Sequence, residues 1–173
     1  MLIERATIAD LVALHALIHS AYRGDSARRG WTHEADLLGG QRTDLEALEA
    51  DLADPRQQLL VARDGEGLVG CIALTDKGQG TVYVGLVTVD PARQAAGLGR
   101  RLLDAGEDCA RRRFAATRAE MTVISKRTEL IAWYERRGYA RTGERRPFPA
   151  TDPRFGLPTR DDLEFVVLAK SLN

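Results

Sequence analysis

Net charge is missing from this sequence: its 173 residues carry 25 Lys plus Arg against 25 Asp plus Glu. A chain with no excess of either sign projects no global field toward nucleic acid or an anionic bilayer, so neither partner is expected. Cysteine is nearly absent too. The two present, Cys71 and Cys109, sit inside apolar segments with no Cys-x-x-Cys or Cys/His spacing, which leaves no metal ligand set and reads both as small buried residues, with a disulfide left open. No run approaches the ~20 apolar residues of a membrane span, and no basic-then-apolar leader opens the sequence, so the cytoplasm is the expected location. The phosphate-loop pattern Gly-x-x-x-x-Gly-Lys-Ser/Thr occurs nowhere, which argues against nucleotide hydrolysis. Repeats, linkers and low-complexity tracts are also lacking.

What is present is one domain over residues 1–173, with 44% apolar residues for a core and 29% charged residues for a surface. Residues 2–6 alternate as a short strand. Thr7 stands before a helical period made by Ile8, Leu11, Val12, Leu14, Leu17, Ile18 and Ala21. After a polar, glycine-bearing stretch, Thr43-Asp44-Leu45-Glu46 reads as a capping box for a second helix limited by Pro55. Residues 57–62 and 68–75 form a hairpin around Asp64-Gly65-Glu66-Gly67. A long strand over 81–89, a helix over 98–115, a strand over 120–124, a helix over 128–137 ending at Gly138, and strands from Tyr139 and over 163–169 complete the order β-α-α-β-β-β-α-β-α-β-β. This predicts an α/β fold, a mixed sheet with helices on both faces.

The chemistry concentrates where the long strand ends. A β-branched run stops at Pro91, which has no amide to extend a ladder, and Gly97 and Gly99 allow close approach of a ligand to the backbone. The helix that follows aims unpaired N–H groups and its positive dipole end at the same place, so an anion is the natural occupant. Only two glycines are spaced there, and the third glycine of a dinucleotide fingerprint is absent.

Gln94-x-x-Gly97-x-Gly99 after such a strand resembles the acyl-CoA signature of the GNAT superfamily of N-acyltransferases, which is Arg or Gln, two residues, Gly, one residue, Gly or Ala. The element order matches that superfamily over essentially the whole chain. The resemblance implies a mostly antiparallel sheet of about seven strands, in which the fourth and fifth splay apart to admit acyl-CoA. Main-chain groups of Leu86, Val87 and Val89 would pair with the pantetheine arm as an added strand. The amides of Gln94, Ala95, Ala96, Gly97, Leu98, Gly99 and Arg100 would hold the diphosphate.

A second segment, from Arg127 through Trp133-Tyr134 to Gly138-Tyr139, is similar to the superfamily's Asn-x-x-Ala-x-x-x-Tyr-x-x-x-Gly-Phe/Tyr pattern. Tyr134 falls on the tyrosine that protonates or hydrogen-bonds the leaving thiolate in many members, a role suited to a phenol with ordinary pKa ~10. Arg127 and Leu130 stand where the superfamily commonly has Asn and Ala, a departure that bears on the usual polar contact from that Asn to the cofactor arm. For the base, Trp31-Thr32-His33-Glu34 joins an aromatic wall to an imidazole and a carboxylate in a region that folds over the acceptor in the superfamily; Glu34 and His33 are the candidates, with Glu120 as the alternative. Trp31 and Phe155 are expected to line the acceptor pocket, and Arg42 or Arg154 to pair with an acceptor carboxylate. The expectation is transfer of an acetyl group from acetyl-CoA to a small-molecule primary amine, without a metal. A non-catalytic acyl-CoA-binding regulatory module, acetylation of a protein amine, and a homodimer remain open.

Overall fold

The computed structural model describes residues 1–23, 28, 38–39, 43–148, 157–159 and 162–173. Its elements are β1 (Leu2–Arg5), α1 (Leu11–Tyr22), β2 (Leu38–Gly39), α2 (Leu45–Ala53), β3 (Gln57–Asp64), β4 (Gly67–Asp76), β5 (Thr81–Val89), α3 (Leu98–Phe114), β6 (Arg118–Ile124), α4 (Thr128–Glu135), β7 (Ala140–Pro147), β8 (Leu157–Pro158) and β9 (Glu164–Ser171). Seven strands form one sheet in the order β1-β3-β4-β5-β6-β9-β7, antiparallel throughout except for the parallel pair β5 and β6. The two-residue pair of β2 with β8 stands apart from it and is too short to have left a pattern in the sequence.

Successive strand residues point to opposite faces, and the sequence places apolar groups on both. Leu59, Val61, Cys71 and Ala73 bury against Leu14, Leu17 and Ile18 of α1 and Leu48 of α2. The residues between them, Leu60, Ala62, Ile72 and Leu74, join Val82 and Val84 under Leu98, Leu102, Leu103 and Ala110 of α3 and Ile131 of α4. A slip of one residue would exchange the two sets, so the hairpin register is held by two cores at once. Close packing of α3 depends on Gly106, where a Cβ would stand 2.7 Å from Ile72 Cδ1.

Helix starts differ in detail from the sequence reading. Thr7 does precede a helical start, but the first turn, Ile8–Asp10, is a 3-10 helix, with the Thr7 N–H donating to Asp10 Oδ2 at 2.8 Å. Arg63 of β3 pairs with Asp10 and with Glu4; burial pushes the Asp10 carboxyl up, and the Arg63 and Thr7 donors outweigh it, so the group titrates below the ordinary carboxylate value. At α2 the cap is Asp44 rather than Thr43: its Oδ1 accepts from the Ala47 N–H at 2.8 Å, while Thr43 is buried. A carboxylate accepts more strongly than a hydroxyl at the positive end of a helix. Cys71 faces α1 and Cys109 lies on α3 across the sheet, so the disulfide left open by the sequence does not form, and burial pushes the Cys71 thiol up to about 12.

The β9 side of the sheet is fastened by a buried charge. Glu107 on α3, 4% exposed, accepts from Lys170 Nζ at 2.8 and 3.0 Å and from the Tyr139 hydroxyl at 3.0 Å. Beyond it β7 forms an edge strand of Arg141, Glu144, Arg145 and Arg146, whose charges discourage pairing with another chain. Truncating Glu107→Ala leaves the Lys170 ammonium and the Tyr139 hydroxyl without their acceptor and is expected to cost about 3 kcal/mol in urea unfolding. Much of that loss should return in the double variant Glu107→Leu/Lys170→Met; equal loss in both would show that the charge pairing is not what the site contributes.

Candidate active site

The site begins where β5 and β6 part. Their parallel ladder lasts only through Thr81, Val82 and Tyr83 against Arg118, Ala119 and Glu120. Just beyond it the Tyr83 hydroxyl and Thr122 Oγ1 share a hydrogen bond of 2.6 Å across the fork. Further along, β5 carries one residue more than β4 between the pairs Gly85 with Ala73 and Thr88 with Cys71, a bulge at which Leu86 takes φ 49°. The bulge turns the Leu86 carbonyl to Thr88 Oγ1 (2.8 Å) and Cys71 Sγ (3.5 Å). The Asp90 N–H donates to Val69 O of β4 at 2.9 Å, so by alternation the main chain of Val87 and Val89 faces the gap. There the Tyr22 hydroxyl donates to Val87 O at 2.9 Å, leaving that carbonyl a second lone pair.

The strand then enters the turn picked out by the sequence, which contains a 3-10 helix, Pro91–Ala96, that the sequence reading had not anticipated. Asp90 Oδ1 accepts from the Ala92 N–H at 2.9 Å, and Arg93 pairs with Asp64 and Glu66 of the β3–β4 hairpin, so the first half of the turn is held. Gly97 follows at φ 72°, with nothing within 4 Å of a would-be Cβ. The first intrahelical bond of α3 is the Arg101 N–H to Gly97 O at 3.3 Å, so the amides of Leu98, Gly99 and Arg100 precede the ladder. Leu98 sends its side chain into the core, which fixes the helix while its amide stays at the end; Ala96 is exposed. The Ala95 side chain lies outside the described residues.

Two cavities meet here. One, of about 110 Å³, lies against the turn and includes Gln94, Gly97, Gly99 and Arg100 among its lining residues. The other, of about 290 Å³, fills the gap between β5 and β6 and touches Tyr83, Leu86, Thr122 and Phe148. Tyr22, Val87, Arg127, Leu130 and Tyr134 line both. Tyr134 is thus at their junction, 6% exposed, with its ring edge-on to Trp133 and Tyr139 at centroid distances of 5.0 and 5.9 Å. Burial, and then the neighbouring Tyr22, push its hydroxyl well above the ordinary phenol value, against the opposing pull of Arg127. A phenol so placed is a proton donor at neutral pH and not a base.

Of the other expected site residues, Trp31, His33, Glu34, Arg42, Arg154 and Phe155 lie outside the described residues. Glu120 bonds to Arg146 at 2.8 Å, lies 3.7 Å from Arg118, and lines neither cavity. Sequence reasoning missed Tyr22, the Tyr83–Thr122 tie and the seating of Arg137 on the Trp133 ring at 3.6 Å; each joins elements distant in sequence or needs a rotamer that no spacing rule supplies. Among the described residues no cluster of three or more His, Cys, Asp or Glu fits a metal ion, and no helix is long and apolar enough to cross a membrane.

Comparison with known proteins agrees with this geometry. The family model of the acetyltransferase (GNAT) domain matches residues 32–148. The chain belongs to the GNAT acetyltransferase family. Solved GNAT-like structures resemble it over nearly their full lengths. The ribosomal-protein-S18-alanine N-acetyltransferase of Escherichia coli has a TM-score of 0.71 at 15% identity, covering 99% of this chain and 94% of that one. A Salmonella typhimurium protein solved with its cofactor acetyl-CoA has a TM-score of 0.68 at 22% identity, covering 100% and 94%. A point mutant of spermidine N-acetyltransferase from Vibrio cholerae has a TM-score of 0.69 at 14% identity, covering 99% and 95%. No curated protein matches the sequence.

A Cβ at Gly97 would meet nothing within 4 Å in the protein, so a methyl group there adds only the strain of φ 72°. Gly97→Ala is expected to cost about 1 kcal/mol of stability through its positive φ. Calorimetric titration should show coenzyme A weakened at least tenfold, beyond what the stability change explains. Unchanged affinity would remove the turn from the binding site.

Proposed function

We propose that this GNAT chain is an acetyl-CoA-dependent N-acetyltransferase acting on the primary amine of a small molecule in the cytoplasm. The observation that carries the reading is the fork: a free edge of β5, an anion-binding helix start at one end of it, and a buried phenol at the junction of the two cavities. The residues suit the group. The amides from Gly97 to Arg100 would hold a diphosphate, the main chain of Val87 and Val89 would pair with an amide-bearing arm, and Gly97 leaves the space open. Bound there, acetyl-CoA supplies an acetyl group activated as a thioester.

Tyr134 gives its proton to the sulfur as the carbon–sulfur bond breaks, and the amine nitrogen forms the new bond by direct attack through a tetrahedral intermediate. Main-chain donors along β5 polarise the carbonyl. The amine's own proton leaves to water or to a base, for which Glu34 and His33 are proposed; Trp31, Arg42 and Phe155 are proposed to contact the acceptor. A small acceptor is favoured over a protein tail because no long groove of one charge sign marks the sequence. Structural relatives named for spermidine and for a ribosomal protein show that the fold serves both.

One observation favours a second reading, an acyl-CoA-binding module without turnover. The described residues lining the two cavities include no carboxylate and no imidazole.

Tyr134→Phe separates the readings. An acetyltransferase loses about 100-fold in kcat with coenzyme A affinity retained. Its raised pKa sets the sign of the pH profile: the rate of the parent protein climbs as the acceptor amine deprotonates and shows no fall at about pH 10, the ordinary phenol value, from loss of the Tyr134 proton. A broad amine panel that yields no thiol release from the parent protein would instead establish the module.

A further inference from the structure

Arg137 stands just after α4, one residue before Gly138, and its guanidinium lies 3.6 Å from the centre of the Trp133 ring. Its Nη1 donates to Trp133 O at 2.8 Å, and its Nε is buried without a hydrogen-bond partner. Trp133 in turn packs on the first turn of α3, where a Cβ at Gly99 would meet Trp133 Cζ2 at 3.3 Å. The arginine is therefore positioned against the start of α3 by an aromatic plate. Arg100 and Arg137 line the cavity at that helix start beside Gln94 and Gly97, and Asp104, one turn along α3, stands 3.8 Å from Arg100 Nε. Burial first, then Arg136 and Arg100, lower the Arg137 pKa, against the opposing pull of Asp104.

A guanidinium held beside a helix N-terminus adds its charge to the positive end of the dipole, and an anion placed there meets both. Stacking holds the guanidinium plane in advance, so little side-chain entropy is lost when it grips a phosphate. We propose that Arg137, seated on Trp133, is a phosphate clamp that adds a side-chain contact to the backbone cradle and makes this chain select a phosphorylated acyl carrier over an unphosphorylated pantetheine thioester. The inference rests on the acyl-CoA reading above and deepens it by naming what sets donor specificity.

The test is calorimetric titration of the parent protein, Arg137→Leu and Arg137→Lys with coenzyme A, 3′-dephospho-coenzyme A and pantetheine, with thermal melting of each protein. The clamp predicts that Arg137→Leu weakens coenzyme A roughly tenfold to a hundredfold, the scale of a charged hydrogen bond. Pantetheine binding should be unchanged, Arg137→Lys should fall between, and added salt should shrink the difference between parent and variant. If 3′-dephospho-coenzyme A shows the same loss, the clamp holds the diphosphate; if it shows none, the clamp holds the 3′-phosphate. Parent-like coenzyme A binding by Arg137→Leu would overturn the clamp while leaving the functional reading intact, as would equal loss of pantetheine, which a merely structural role produces. A parent protein that binds no coenzyme A would overturn both.

Discussion

The parallel ladder between β5 and β6 is three residue pairs long, and everything proposed for this chain depends on where that ladder stops. Continued pairing would satisfy the main chain of Val87 and Val89 and close the gap. Ended early, it leaves an interior strand with a free edge inside the sheet, where unpaired amides and carbonyls are costly unless something meets them. The Tyr83–Thr122 bond closes the fork at its base, and Tyr22 meets one carbonyl at Val87. The remaining edge is suited to an extended ligand with amide groups of its own.

The charged end of the site is organised before any ligand arrives. Asp90 caps the 3-10 turn, Arg93 ties it to the β3–β4 hairpin, and Leu98 anchors the start of α3 in the core. Because these contacts belong to the folded chain, binding an anion there need not order the loop, and the affinity lost to loop ordering is avoided. The same arrangement explains why Tyr134 can be both part of the core and part of the site. Its ring packs with Trp133 and Tyr139 while it lines both cavities, and the burial that raises its pKa also keeps its proton in place.

Most of the fold was legible because its signals are local. The hairpin around Gly65, the strand ending at Val89 and the helix beginning at Leu98 rest on turn residues and periods that a single segment carries. The turn's glycine at Gly97 was legible for the same reason, and Gly138 adopts the positive φ its position suggested. What escaped was the competition between neighbours: Asp44 over Thr43 as a cap, and a 3-10 turn within 91–96. Long-range side-chain geometry escaped as well. Nothing in the spacing of Tyr22 and Val87, 65 residues apart, announces their hydrogen bond.

The central claim is that the free edge of β5 and the amides at the start of α3 form one continuous ligand-binding surface. Titrating coenzyme A into the isotopically labelled protein and following backbone amide resonances tests it directly. The account predicts shifts concentrated at Val87, Val89 and the amides from Gly97 to Arg100, saturating together with a single affinity. Shifts elsewhere on the sheet with these amides unmoved, or no shifts at all, would contradict it.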